Sequence, residues 1–359
     1  MFECYTPEVE NASVRGRGAA ANPANRFERI DYARDEDAPP DEGPGPKTEA
    51  LLDASRTILS YNSSPDLGFS ASLNPYRGCE HGCSYCYARP SHEYAGFSAG
   101  LDFETKILVK RNAPELLRQE LSAKKWEPKV VAMSGVTDPY QPLERTLLIT
   151  RRCLEVFAEF RNPVALITKS ALIARDADIL GAMAKDSCAA ATVSITTLDP
   201  ELQRKMEPRA SHPQRRLDAI AALAAAGVPV GVNVAPIIPG INDHEIPAIL
   251  EAAAKAGATR AGYVFVRLPW GVKDIFSDWL ARHFPDRKEK VLSQIRESRG
   301  GKLYDSSFGA RGRGDGPFAD NINALFRLSL KKYGYADRAR DTLSTAHFKR
   351  PSGPQLELF

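Results

Sequence analysis

ATVSITT, residues 191–197, is a β-type run in which Thr192, Ser194 and Thr196 alternate with Val193 and Ile195. A period of two predicts a strand with one branched apolar face and one small or polar face. A strand of a doubly wound sheet lies under helices on both sides and reads as continuously apolar. A polar face within an α/β pattern predicts instead a lumen that holds a ligand, with the branched face under the helices. The next run outward, VPVGVNVAP at 228–236, repeats the arrangement: Gly231, Asn233 and Ala235 alternate with Val230, Val232 and Val234.

Further outward the same unit recurs. Strands are predicted at GFSASLNPY from Gly68, VVAMSG (130–135), PVALITKS (163–170) and AGYVFVRLP (261–269), and helices from Ala113, Leu143, Ala171, Pro213 and Glu245. A repeat of roughly 30 residues, with each helix closing on a Gly- or Pro-marked turn, is the pattern of βα units around a parallel sheet. Six units with a polar inner face predict an α/β fold, a partial (βα)6 barrel of the TIM type, followed from 271 by a C-terminal helical extension. Active sites of such folds lie at the C-terminal ends of the strands. Residues 1–65, with the linker-like DEDAPPDEGPGP at 35–46, read as a largely flexible arm. Residues 66–270 form the expected core, 271–345 the extension and 346–359 a tail.

Composition sets wide bounds. The 359 residues are 43% hydrophobic and 26% charged with a formal charge of +3, which is globular usage without the basic excess of a dedicated nucleic-acid binder. The N-terminal MFECYTPEVENASV lacks the basic-then-apolar pattern of an export signal. The most apolar window, from Ala219, is interrupted by Gly227, Pro229, Asn233, Pro236 and Pro239. No membrane partner is expected and the cytoplasm is the expected compartment, where clustered cysteines bind metal or do redox chemistry rather than pair as disulfides.

Half of the six cysteines fall in NPYRGCEHGCSYCYARP, residues 74–90, directly after the first predicted strand. Cys79, Cys83 and Cys86 are too few for a closed zinc site or an ordinary cluster with four cysteine ligands. Three ligands leave one metal position open, as a catalytic site does for a substrate or cofactor. Gly78 and Gly82 suit a loop that curls its backbone around a bulky anionic object. A zinc site completed by His81 or His92 is the competing reading at this point. Two Arg/Gly stretches, RGRGAAANPANRFE at 15–28 and GARGRGDG at 309–316, read either as flexible basic loops or as contacts to phosphate.

The spacing CxxxCxxC, with Tyr85 just before the third cysteine, resembles the motif of the radical SAM superfamily. The resemblance implies a 4Fe-4S cluster on Cys79, Cys83 and Cys86 whose open iron is chelated by S-adenosylmethionine. One electron, from a donor such as flavodoxin or ferredoxin, then cleaves that cofactor to methionine and a 5′-deoxyadenosyl radical, which takes hydrogen from a substrate. Tyr85 becomes an aromatic wall of the site. In MSGVTDPYQPLE (133–144) the superfamily's glycine-rich, glutamate-ended segment is replaced by Ser134, Gly135, Val136, Thr137 and Asp138. Ser134, Gly135, Thr137 and Asp138 are the candidates for holding the methionyl ammonium. Lys169, Ser194 and Thr196 are candidates for the ribose hydroxyls and the carboxylate. In MEPRAS (206–211) Arg209 is the candidate for the cofactor carboxylate, with Glu207 orienting Arg209 or touching ribose. Asn233 is placed beside adenine and ribose, and Tyr263 or Val264 flanks adenine.

SGVTDPYQPLE, SITTLDPELQRKMEPRA and PIIPGIND resemble the spore photoproduct lyase-like branch in particular, over roughly residues 65–300. Spore photoproduct lyase repairs a thymine dimer in DNA and returns hydrogen through a cysteine. Here no cysteine follows Cys188, and Cys153 and Cys188 read as buried structural thiols, so that activity does not transfer. The substrate and the catalytic residues stay unassigned, with nucleic acid an open option. Two other classes remain: an iron-sulfur electron-transfer or scaffold protein, and a zinc-stabilised nucleic-acid-binding module.

Overall fold

The computed structural model describes residues 14–28, 45–335 and 343–351. Its strands are β1 (Glu49–Leu52), β2 (Leu59–Tyr61), β3 (Ala71–Leu73), β4 (Tyr76–Arg77), β5 (Lys106–Val109), β6 (Val131–Met133), β7 (Val164–Thr168), β8 (Ala189–Ser194), β9 (Val230–Ile237) and β10 (Arg260–Phe265). Seven form one sheet in the order β10-β9-β8-β7-β6-β3-β2. From β3 to β10 every pairing in it is parallel, and β2 is added antiparallel at the edge. Six consecutive parallel strands with helical crossovers are the partial (βα)6 barrel expected from the sequence. A second sheet, in the order β1-β5-β4, brackets the cysteine loop and was not foreseen.

Register explains the alternation in ATVSITT. Ser194 pairs with Asn233, which pairs with Gly262, so small and polar residues form one row across three strands. Val193, Ile195, Val230, Val232 and Val234 take the other face and are buried in the main core with Ile220, Leu223, Ile249 and Leu250 of helices Pro213–Ala225 and Ile246–Lys255. Each such side chain contributes about 1.5–3 kcal/mol on burial. Tyr263 stands opposite Val234 and so shares the outward face. Its ring packs on Phe326, with centroids 4.8 Å apart, rather than flanking an adenine site.

Two helical readings break where a side chain competes. The run from Leu143 divides into Glu144–Leu147 and Ile149–Phe160 at Leu148, which has φ +55°. Glu144 forces the break: its carboxylate accepts from the amides of Thr150 (3.0 Å) and Arg151 (3.3 Å) and so caps the second helix. The run from Ala171 begins as a 3₁₀ turn to Asp176 and becomes α-helical at Ala177–Ala184.

The extension contains helices Val272–His283, Lys288–Glu297 and Gly316–Lys332. Phe276, Trp279, Leu280, Val291 and Ile295 build a second core with Ile238, Phe265 and Leu268, and this core reaches Met206, Tyr85 and Cys83. Parts of the expected arm are packed as well. Arg17, Asn25, Asp53, Ile58 and Leu59 are buried, and the rest of 1–65 beyond 14–28 and 45–65 lies outside the described residues. The second Arg/Gly stretch is pinned by Arg311, whose guanidinium grips the Asp66 carboxylate. At the other end Lys349 donates its amide to the Phe160 carbonyl at 2.9 Å.

Candidate active site

The loop after β3 turns twice through left-handed backbone, at Gly78 (φ +81°) and Gly82 (φ +64°), where a side chain is disfavoured. Those turns set the three thiols within electrostatic reach of one another. Cys79 and Cys83 are buried and Cys86 half-buried. Burial first, then the neighbouring Asp138, Cys83 and Cys86, pushes the Cys79 thiol well above its ordinary value. Burial and Glu207 push Cys83 up, against the opposing pull of Lys169. Burial and the neighbouring charges thus favour the neutral thiol at both Cys79 and Cys83, and a bound cation is the kind of partner that would reverse that preference.

The loop is held from behind by charges that sequence reading passed over. Arg89 is fully buried and donates Nε (3.0 Å) and Nη2 (2.8 Å) to the Cys83 carbonyl, and Nη1 to the carbonyls of Ala99 and Gly100. Its charge is met by the equally buried Glu104. That carboxylate also accepts the amides of Gly18 (3.0 Å) and Ala19 (2.8 Å), while Arg17 donates to the Glu104 carbonyl at 2.7 Å. The RGRGA stretch is therefore a strap laid on the loop. Gly18 sits so close that a Cβ there would lie 1.8 Å from the Gly82 carbonyl oxygen, which excludes every other residue.

On the lumen side one carboxylate organises the site. Glu207 is fully buried, forms an ion pair with Arg216, and accepts from Tyr85 Oη and from Thr196 Oγ1 (2.5 Å). Burial would raise its carboxyl, but Arg216 and Lys169, followed by the Thr196 and Tyr85 hydroxyls, hold it below the usual carboxylate range. Lys169 stands at the end of β7 with Nζ 5.8 Å from the Tyr85 ring centroid. Burial opposes its charge, yet Glu207 and Cys83 keep the ammonium above its ordinary value. Arg216 in turn donates to the carbonyls of Ser194 (3.0 Å) and Ser211 (2.8 Å).

The expected Glu207–Arg209 partnership is not what forms. Arg209 turns to Glu80 at 3.1 Å and donates its amide to the His81 carbonyl. The reason is geometric: Glu207 ends helix Pro200–Met206 pointing inward, where Arg216, in the helix that follows, closes onto it, and Arg209 lies on the outer side of the turn.

The 134–138 segment is drawn to the loop. Thr137 donates Oγ1 to the Gly78 carbonyl at 2.7 Å, and Gln141 bridges the same carbonyl and the Glu80 amide. Ser134 Oγ donates to the Thr137 carbonyl, and the Gly135 carbonyl accepts from Tyr87 Oη at 2.7 Å. Asp138 accepts from Thr168 Oγ1 (2.6 Å) and the Lys169 amide (2.7 Å), with His81 Nδ1 at 3.4 Å. Burial works against that carboxylate, but His81, Thr168 and the amide bring it down to about 2. Asn233 is half-buried on the inner row, one strand away from Ser194. Of the two histidines considered as zinc ligands, His81 faces Asp138 and His92 is packed on the rings of Phe97 and Phe103. Among the described residues no three His, Cys, Asp or Glu side chains gather around a single ion position.

The sequence of residues 73–253, from β3 to past β9 and including all three cysteines, matches the family described as the Radical SAM superfamily. The chain belongs to the radical SAM superfamily. Among its relatives, an uncharacterized protein of Mycobacterium tuberculosis (strain H37Rv) is 36% identical over 233 residues, 64% of this chain and 67% of the relative. A protein of Pseudomonas phage M6 named radical SAM Nalpha-GlyT isomerase is 27% identical over 231 residues, 63% of this chain and 46% of that one. A cysteine-to-serine mutant of spore photoproduct lyase superposes with a TM-score of 0.56 at 16% identity, covering 79% of each chain. At that identity the likeness concerns the fold alone. Cys153 and Cys188, both buried, lie in helix Ile149–Phe160 and at the start of β8, away from the radical SAM loop.

Proposed function

We propose that the chain is a radical SAM enzyme that binds a 4Fe-4S cluster through Cys79, Cys83 and Cys86, and S-adenosylmethionine at the open iron. The observation that carries this is three thiols on one short loop, Cys79 and Cys83 buried and Cys86 half-buried, all within electrostatic reach of one another and next to the Lys169–Glu207–Thr196 network. When bound, the pair supplies reductive cleavage of S-adenosylmethionine to a 5′-deoxyadenosyl radical. The chain's own residues hold and shield it. Ser134, Gly135, Thr137 and Asp138 bring acceptors for an ammonium. Lys169 offers a cation for a carboxylate, while Ser194, Thr196 and Asn233 offer hydroxyl and amide partners along the inner row. Glu207 fixes Tyr85 and Lys169 rather than Arg209, so Arg209 is better read as a brace on Glu80. Trp279, Phe276 and Met206 keep water from the back of Cys83 and Tyr85.

The zinc-module reading loses support from the placement of His81 and His92. The scaffold reading leaves the inner polar row without a purpose. A reducing cytoplasm suits thiol-bound iron, and no helix among the described residues is long and apolar enough to cross a membrane.

For the substrate we favour a nucleobase-containing compound, acted on by a lyase-like or isomerase-like radical reaction. Support comes from the Arg267 guanidinium, 4.7 Å over the Tyr87 ring next to the cysteine loop, and from the exposed rings of Phe308 and Trp270. Arginine on aromatic rings is the chemistry that holds bases and phosphates. The name of the phage relative, an isomerase, fits the isomerase-like option. The test of the cofactor reading is spectroscopic. Anaerobically reconstituted protein, reduced with dithionite, shows a cluster electron-spin resonance whose shape changes when S-adenosylmethionine is added. A cluster signal indifferent to that addition contradicts binding at the open iron.

A further inference from the structure

Behind the cysteine loop lies a cationic surface that the cofactor site does not use. A cavity of about 390 Å³ is lined by Arg15, Arg17, Arg204, Lys205, Arg282 and His283, against a single carboxylate, Glu201. Arg17 is committed to backbone carbonyls, and Arg282 to Asp278 at 2.9 Å and the Gly18 carbonyl. Arg15, Arg204 and Lys205 are exposed, with no carboxylate in ion-pair reach among the described residues. The field registers on His283: burial, then Arg282 and Lys205, hold its imidazole below the ordinary value.

Both walls of this cavity touch the cysteine loop. The strap residue after Arg17 is Gly18, which meets Gly82, and helix Pro200–Met206 ends with the Met206 carbonyl accepting the Ser84 amide at 3.1 Å. The other side of the loop presents Tyr87 to Gly135 and Arg267 at the barrel mouth. The strap, helix Pro200–Met206 and the apolar side chains Leu202 and Met206 thus link this surface directly to the cysteine loop. Among the described lining residues the imidazole is the one aromatic ring, and the nearby Phe284 is covered by Lys205 at 5.4 Å, so bases have little to stack on there.

We propose that this surface is where the electron donor docks, and that the donor is a small acidic one-electron carrier protein. The inference rests on the radical SAM reading, which needs one electron from outside for each cleavage. The donor loses that electron and the cluster gains it; no bond or proton changes hands between the proteins. Opposite charges steer the encounter and fix its orientation, leaving the donor's redox group facing the back of the loop.

The test uses the reconstituted full chain with reduced flavodoxin, an acidic flavoprotein, as the probe and dithionite as the small reductant. In Arg204→Glu/Lys205→Glu, flavodoxin-driven bleaching of the cluster slows roughly tenfold or more at low salt. Added salt slows the wild type but not the variant, and binding of oxidised flavodoxin weakens in parallel. Dithionite reduces both proteins at the same rate. The proposal is overturned if the wild type does not bind flavodoxin, if the variant takes its electrons at the wild-type rate, or if the dithionite rate falls equally. It is likewise overturned if a single-stranded oligonucleotide binds in place of flavodoxin and loses that binding in the variant. Failure of the wild type to cleave S-adenosylmethionine with dithionite strikes the parent reading instead, and leaves the flavodoxin-binding readout intact.

Discussion

Cys83→Ala abolishes the iron-sulfur chromophore and reductive cleavage of S-adenosylmethionine together, while the chain stays folded. The loop has three thiols and no fourth ligand, so removing one leaves two, too few to hold a cluster against chelation. The fold survives because Cys83 contributes little apolar area, and the loop's shape comes from Arg89 and Glu104 rather than from the thiol. Loss of one buried sulfur costs about 1 kcal/mol. Cys153→Ala is the matched control: an equally buried cysteine in helix Ile149–Phe160, whose replacement leaves iron content unchanged. Iron and sulfide analysis with circular dichroism checks both. Equal iron in Cys83→Ala and wild type would remove this cysteine from the ligand set.

Glu207→Gln carries the second large effect, on stability as well as on the site. The variant leaves Arg216 buried without its counter-ion and takes from Lys169 the carboxylate that keeps it charged. Breaking a buried pair from one side costs about 3–5 kcal/mol, or roughly 5–15 °C in thermal midpoint. Arg209→Gln removes a partly exposed guanidinium from the buried Glu80, whose carboxylate still accepts from Thr48 and the Leu143 amide, and costs about 1 kcal/mol or less. The contrast separates the two arginines near Glu207. Acid behaviour follows from the sign of the shift. Glu207's carboxyl is lower in the folded chain than in the unfolded one, so its stabilisation is complete above the unfolded value and disappears as pH falls through the folded one. Wild type therefore loses stability toward acid more steeply than Glu207→Gln, which lacks this group. Parallel acid limbs in thermal melts at several pH values would contradict the assignment.

What the sequence displays and what it hides divide along a physical line. Val193 against Ser194, and Val232 against Asn233, announce a two-faced strand because period is a local property. The cysteine spacing is equally local. The partners of charged residues are not: Glu104 meets Arg89 and the strap amides 85 and 86 residues away, and nothing in the letters of RGRGA identifies them. The adjacent Arg209 was the natural guess for Glu207, but helix direction brought Arg216 to it instead. Gly18 held a usable signal, since a glycine between charged and small residues often marks a close approach. The small β1-β5-β4 sheet escaped notice because strands of two to four residues carry too little pattern to read.

Cleavage of the cofactor decides the account. Anaerobically reconstituted protein, given dithionite and S-adenosylmethionine, is predicted to release 5′-deoxyadenosine and methionine in equal amounts, detected by mass spectrometry, and Cys83→Ala to release neither. A fully loaded cluster that yields no 5′-deoxyadenosine under reduction, in wild type as in the variant, would contradict it.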